Sequence, residues 1–317
     1  MTDSAAGAMF GDRCSSRARG RAGRGLIIGA LSLPLLLAAC GGGSNTTTAT
    51  TRAGGTGGKY TLVQAQSDLP VGTSRFVFGL VNGDNEPITG GTPQIWVAKD
   101  QRSKPLGPFN STWQTWSPSK GDDFGRAPIA GFFATEVSVP AAGTWLVLAK
   151  DVVNGKQINA GGTIPVVERP VAAIGTAAIS EPTPVATTSA EEAKIDTRQP
   201  PTPMHHISLD AALKNGRPTV LVFATPQFCQ TRLCGPVVDE VLTLYERVGT
   251  AKANFVDVEI YPTHDTNKPT PEFLRWGFQT EPWVIVIDKT GIIRGRFEGP
   301  AVAPEIEAAL NPLLAGP

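Results

Sequence analysis

From Lys59 to about Glu168 apolar residues come in short runs, often at every second position: KYTLVQ, SRFVFGLV, QIWVAK, TEVSVP, TWLVLAK and NAGGTIPVV. Alternation of this kind turns one side of a strand to a core and the other to solvent. Turn-rich NGDN, AAGT and VNGK separate the runs, so residues 59–168 are expected to form an antiparallel β-sandwich. Its tryptophans, Trp96, Trp113, Trp116 and Trp145, are expected in the core and at its rim. Residues 169–204 break the pattern. Pro170, Pro182, Pro184, Pro200, Pro201 and Pro203 lie among Ala, Thr, Ser and charged residues with no sustained apolar period, which reads as an exposed, semi-extended linker.

From 205 to 317 the period changes again. SLDAALKNG reads as a short helix with a serine cap and a glycine stop. TVLVFA, bounded by Pro218 and Pro226, is a continuous apolar run of the kind that forms a strand buried on both faces. From about Pro236 to Val248, the residues Val237, Val238, Val241, Leu242, Tyr245 and Val248 recur at helical spacing. NFVDVEIY and WVIVID read as strands with the short helix PEFLRW between them, DKTG turns the chain into IIRGRF, and Pro304 opens a last helix. The region is therefore α/β, and the whole chain multidomain.

The first 58 residues carry no such pattern. Arg13, Arg17, Arg19, Arg21 and Arg24 precede the apolar run LIIGALSLPLLLAA, which is interrupted by Pro34 and shorter than the roughly 20 apolar residues of a membrane-spanning helix. Residues 1–39 read as an export signal. Leu37-Ala38-Ala39-Cys40-Gly41 resembles the bacterial lipoprotein signal, which implies acylation of Cys40 as the first mature residue and a protein anchored on the extracytoplasmic face of the cell membrane. Residues 40–58, rich in Gly and Thr, read as a flexible tether reaching roughly 24 Å.

Charge and cysteine content narrow the function. Lys plus Arg number 28 and Asp plus Glu 28, with no basic stripe, which argues against a nucleic-acid partner. Of four cysteines, Cys14 leaves with the signal and Cys40 is taken by lipid, so Cys229 and Cys234 are the mature thiols. Outside the cytoplasm such a pair is expected to be disulfide-bonded at least part of the time. Cys234 lies just before Gly235-Pro236 at a helix N-terminus, where unpaired N–H groups and the helix dipole favour thiolate; Arg232 is a possible cationic partner in the same loop.

The C-terminal region resembles the thioredoxin superfamily over essentially its whole length. VLVFATPQFCQTRLCGPVVDEV is similar to that family's strand, cysteine loop and helix, FLRWGFQTEPWVIVID to its helix and proline-led strand, and DKTGIIRGRFEGP to its closing hairpin. The resemblance implies a thioredoxin-like fold, a cis peptide at Glu281-Pro282 facing the cysteines, Cys229 as nucleophile, Cys234 as resolving thiol and Pro282 shaping the substrate groove. Exported protein thiols and disulfides would be the partners, with no cofactor. Four residues separate the cysteines where the family has two, the strand TVLVFA lacks the acid many thioredoxins bury there, and Phe228 stands where tryptophan is usual. PAAGTWLVLAKD resembles a strand of bacterial immunoglobulin-like modules, which makes 59–168 an immunoglobulin-like spacer or docking module.

The alternatives are a scaffold with a structural disulfide and a Sco-like copper chaperone. Residues 59–168 contain no His, Met or Cys, so no soft-metal site is expected there. His264 is the only histidine after the cysteines; Met204-His205-His206 could add ligands, but the histidine pair reads as solvated. Peroxiredoxins place proline seven and Thr or Ser three residues before their reactive cysteine, where this chain has Val222 and Pro226. Asp122-Asp123 and Glu191-Glu192 read as solvated charges.

Overall fold

The computed structural model describes residues 59–126, 129–153, 155–261 and 268–315. The expected signal, Cys40, the tether and His264 lie outside them. Among the described residues, no helix is long and apolar enough to cross a membrane.

Among the described residues, the N-terminal β region has nine strands: β1 (Tyr60–Gln64), β2 (Leu69–Pro70), β3 (Gly72–Asn82), β4 (Gln94–Ala98), β5 (Leu106–Asn110), β6 (Thr112–Gln114), β7 (Phe132–Val139), β8 (Gly143–Val153) and β9 (Lys156–Val167). They form one sheet in the order β1-β3-β7-β6 and another in the order β2-β9-β8-β4-β5. Both sheets feed one core, Phe76, Phe78 and Phe133 from the first meeting Ile95, Val147 and Ile164 from the second. Trp145 is buried in it, while Trp113 packs at its margin. The strands that alternation does not reveal are β2, β5 and β6, all at sheet edges. β5 contains Gly107-Pro108, and proline is tolerated where no neighbour needs its missing N–H.

The C-terminal region follows as α1 (Ser189–Ile195), α2 (Leu209–Ala212), β10 (Thr219–Ala224), α3 (Cys234–Val248), β11 (Asn254–Glu259), α4 (Pro271–Arg275), β12 (Trp283–Ile287), β13 (Ile293–Glu298) and α5 (Ala303–Leu314). The sheet order is β11-β10-β12-β13. β10 runs parallel to β11 and antiparallel to β12, and β12 pairs antiparallel with β13. Alternate residues of β10 explain its unbroken apolar run: Val220 and Val222 face the side of α3 and α5, Leu221 and Phe223 the side of α2 and α4. This is the strand order and two-sided helix cover of a thioredoxin-like domain. α3 starts two residues earlier than the periodicity indicates, with Pro236 in the first turn, where the N–H has no helical partner anyway.

Residues 169–204 are not the exposed linker that their composition suggests. Val171, Ala172, Ala178 and Ile179 pack on the Leu221/Phe223 side of the sheet. Glu181 is buried, accepting from the Trp276 indole at 2.9 Å and pairing with Arg275. Asp196, Arg198 and Thr202 are buried as well. Polar side chains can be buried this way because each finds a partner, and such burial leaves no apolar period behind. α1 is held by a capping box between Thr188 and Glu191, so Glu191 is a helix cap and not merely a solvated charge.

The β region packs directly on the C-terminal region. Arg75 pairs with Glu305 at 2.7 Å and donates to the Pro300 carbonyl at 2.6 Å; the Ser67 N–H donates to Glu298 at 2.8 Å. Val77, Phe132 and Ala134 form an apolar cluster with Val302. At Gly299 (φ +73°) a Cβ would lie 2.0 Å from the Ala65 carbonyl oxygen, so only glycine lets the two backbones approach this closely.

A candidate thiol site at the start of the third helix

β10 ends at Ala224 and the chain folds back at once, the N–H of Cys229 donating to the Thr225 carbonyl at 2.8 Å. Five residues later α3 begins at Cys234, whose backbone N–H donates to the Cys229 sulfur at 3.3 Å. The Thr231 hydroxyl lies 3.2 Å from the same sulfur and can donate to it once it is a thiolate. Both cysteines carry free thiols in this structure. They are also sealed: Cys229 is 1 % exposed and Cys234 0 %.

Burial penalises charge on either sulfur. At Cys229 that penalty is overcome by the Cys234 thiol, the Thr231 hydroxyl and the N–H groups of Cys234 and Leu233, and the thiol is lowered to about 6. Cys234 moves the other way, pushed well above the ordinary thiol value by burial, by acting as donor to Cys229, and by the negative charges of Cys229 and Glu281. The pair therefore shares one proton, held on Cys234.

The peptide Glu281-Pro282 is cis. Phe223 pairs with Trp283, so Pro282 and Glu281 continue β12 backwards, level with the start of the cysteine loop. The Glu281 carboxylate accepts from the Gln230 N–H, and burial together with the charge of Cys229 raises it to about 7. Tyr261 is raised by burial and by the charges of Glu281 and Cys234. A partly buried acid is thus present at the cysteines, supplied by the residue before Pro282 and not by β10.

Glu281, Thr231 and Arg126 are site residues that the motif does not single out. The two Arg126 nitrogens Nη1 and Nη2 donate to the carbonyls of Cys229 (2.7 Å) and Pro226 (2.5 Å). No local pattern in FGRA signals that contact, because the two ends are 103 residues apart. Glu281 is more readable than Arg126, as an acid immediately before the motif proline.

The histidine pair differs from its reading as solvated. His206 is exposed beside the Tyr245 hydroxyl, but His205 is 1 % exposed and its Nε2 lies 3.1 Å from Asp196 and 3.9 Å from Asp257. Ligand-type atoms of Asp196, His205 and Asp257 lie within 4.8 Å of one another, the arrangement among the described residues that could hold a cation. Protein donors already engage the two carboxylates: the Thr202 N–H (2.7 Å) and the Arg198 N–H (2.7 Å) on Asp196, and the Thr202 hydroxyl (2.9 Å) on Asp257. Burial and the charge of Asp196 raise Asp257 to about 7, while His205 is raised by the two aspartates against the effect of burial.

No protein-family model matches the chain, and no curated protein matches it. Among solved structures it is similar to a thiol:disulfide interchange protein of the thioredoxin family from Chlorobium tepidum TLS, at 20% identity and TM-score 0.29, covering 44% of this chain and 100% of that one. It is also similar to a cellulose-active LPMO, CelS2, in complex with copper, at 17% identity and TM-score 0.18, covering 33% and 53%. A third is titin M4, at 12% identity and TM-score 0.16, covering 34% and 95%. Similarity at this level carries no argument about chemistry, which rests on the geometry of the cysteine loop.

Proposed function

We propose that the chain is a thiol–disulfide exchange protein whose two-electron couple is Cys229 and Cys234, tethered outside the cytoplasm by lipid on Cys40. The observation that carries the reading is the Cys234 N–H and thiol directed at the Cys229 sulfur, which leaves one thiol ionised and the other protonated. In the first step the Cys229 thiolate attacks a partner disulfide; the partner S–S bond breaks and one partner sulfur leaves as thiolate, to be protonated by solvent. In the second, Cys234 gives its proton to Glu281 and attacks the Cys229 sulfur. The mixed disulfide breaks, and the second partner sulfur leaves and takes that proton. The partner disulfide is reduced by two electrons and the cysteines become a disulfide; the reverse sequence oxidises a partner dithiol. The immunoglobulin-like identity of the β region belongs to this proposal too.

The burial of Cys229 favours a second reading, in which the pair closes an internal cross-link and the fold serves as a binding scaffold. The reduction potential of the soluble chain separates the two. A couple above about −300 mV with a Cys229 thiol ionising near pH 6 supports exchange, whereas a potential well below that value, with no thiolate near neutral pH, makes the pair a staple.

A further inference from the structure

A segment of the β region lies against the cysteine loop and the helix that follows it. Residues 116–126, between β6 and β7, lie along α3. Trp116 packs against the core behind that helix. The Ser117 hydroxyl donates to Glu240 at 3.0 Å, the Ser119 hydroxyl and the Lys120 N–H donate to Asp239 at 3.2 and 2.9 Å, and Lys120 pairs with Glu246. At the far end the Arg126 guanidinium holds two carbonyls of the cysteine loop at once, those of Pro226 and Cys229. The planar fork of arginine suits this double contact, and lysine has only a point charge to offer.

Behind the contact is open space. A cavity of about 430 Å³ lies between this strap and the loop, lined by Asp122, Arg126, Pro226, Arg232, Gly235 and Pro236. Arg232 borders it with φ +63°, a left-handed conformation that a side chain other than glycine rarely adopts. The loop is thus clamped on one side, holds one residue in a left-handed conformation, and borders a void.

We infer that Arg126 is a positioning residue that latches the cysteine loop shut, and that the 116–126 strap gates the approach of a partner disulfide to Cys229. The gate serves the exchange chemistry proposed above and rests on that reading for its purpose, but its test does not.

The test is the rate of Cys229 alkylation by iodoacetamide in the full mature chain, resolved by mass and run at pH 8. Variant and unaltered chain are compared at the same pH, so the ratio of their rates reports access. Arg126→Ala is expected to raise the rate at least tenfold, and Arg126→Lys to restore less than half of the protection; a rate within twofold of the unaltered chain for Arg126→Ala overturns the gate. Should Arg126→Ala not fold, native-state hydrogen exchange of the unaltered chain decides. Strap and cysteine loop opening together support the gate, and a strap that stays protected while the loop exchanges overturns it. The pH profile of the opened variant then judges the chemistry separately. A bend near pH 6 supports both proposals, and one above pH 8 supports the gate while overturning exchange.

Discussion

The N–H of Cys234 points at the sulfur of Cys229 from 3.3 Å, and that contact makes two thiols of like chemistry unequal. Cys229 is the ionised partner, at about 6, with burial opposing the charge and the Cys234 thiol the strongest donor against it. Removing that donor with Cys234→Ala is expected to move the Cys229 inflection upward and to leave on the order of tenfold less thiolate at pH 6, as loss of a hydrogen bond to a charged group implies. Alkylation rate against pH measures it, and an inflection that stays in place removes the proposed division of roles.

Glu281 tests the second step on its own. Glu281→Gln keeps the shape but cannot accept a proton, so the mixed disulfide on Cys229 should accumulate and its resolution slow on the order of a hundredfold, the usual scale of general-base catalysis. Rapid quenching with mass detection follows the intermediate. Unchanged resolution would show that the Cys234 proton leaves by another route.

The buried carboxyls set a pH dependence of known sign. Burial raises Glu259 and Asp257 to about 7 in the folded chain, from ordinary values of 4.5 and 3.8. The folded state therefore holds protons that the unfolded state has released, so their stabilisation is full below about pH 4 and is lost as pH climbs through 7. Cys229, lowered from 9.0 to about 6, acts in the opposite sense but only above pH 6, which leaves pH 4.5–6 to the carboxyls. Denaturant midpoints at pH 4.5, 5 and 6 should fall in that order, and Glu259→Gln should flatten the trend.

Arg198 and Asp239 form an ion pair at 2.7 Å with side chains only 3 % and 5 % exposed. Asp239→Ala leaves a guanidinium buried without its counter-charge, and the expected loss is about 3–5 kcal/mol. Urea unfolding gives the figure. A loss under about 1 kcal/mol would mean that water reaches Arg198.

Two glycines separate strain from contact. At Gly216 (φ +78°) an added Cβ would meet nothing within 4 Å, whereas at Gly299 (φ +73°) it would face the Ala65 carbonyl at 2.0 Å. Gly216→Ala should therefore show only the backbone cost of about 1 kcal/mol, and Gly299→Ala a clearly larger one. Equal losses in melting experiments would mean that the β region is not seated on the C-terminal region in solution.

Legibility in the sequence follows how each residue is buried. The apolar runs of β1, β3, β4 and β7–β13 announce themselves because hydrophobic burial is periodic and local. The stretch 169–204 does not, because Glu181, Asp196 and Arg198 are buried by pairing with Trp276, His205 and Asp239, and a partner 9 to 95 residues distant leaves no local mark. At the site, the Cys-x4-Cys spacing and Pro282 can be read directly. The Arg126 contact with the loop cannot, since that residue is 103 positions away in the chain. One local signal does stand inside the proline-rich stretch: Thr188 followed three positions later by Glu191 is a helix-start signature.

Because Asp196 and Thr202 are what hold His205 and Asp257, a C-terminal fragment trimmed to begin at residue 205 would keep those two residues and discard their partners. It would also uncover the sheet surface on which Val171 and Ile179 rest. The smallest excisable piece that keeps its interior intact starts upstream of Val171, so the proline-rich stretch travels with the fold as part of its fabric.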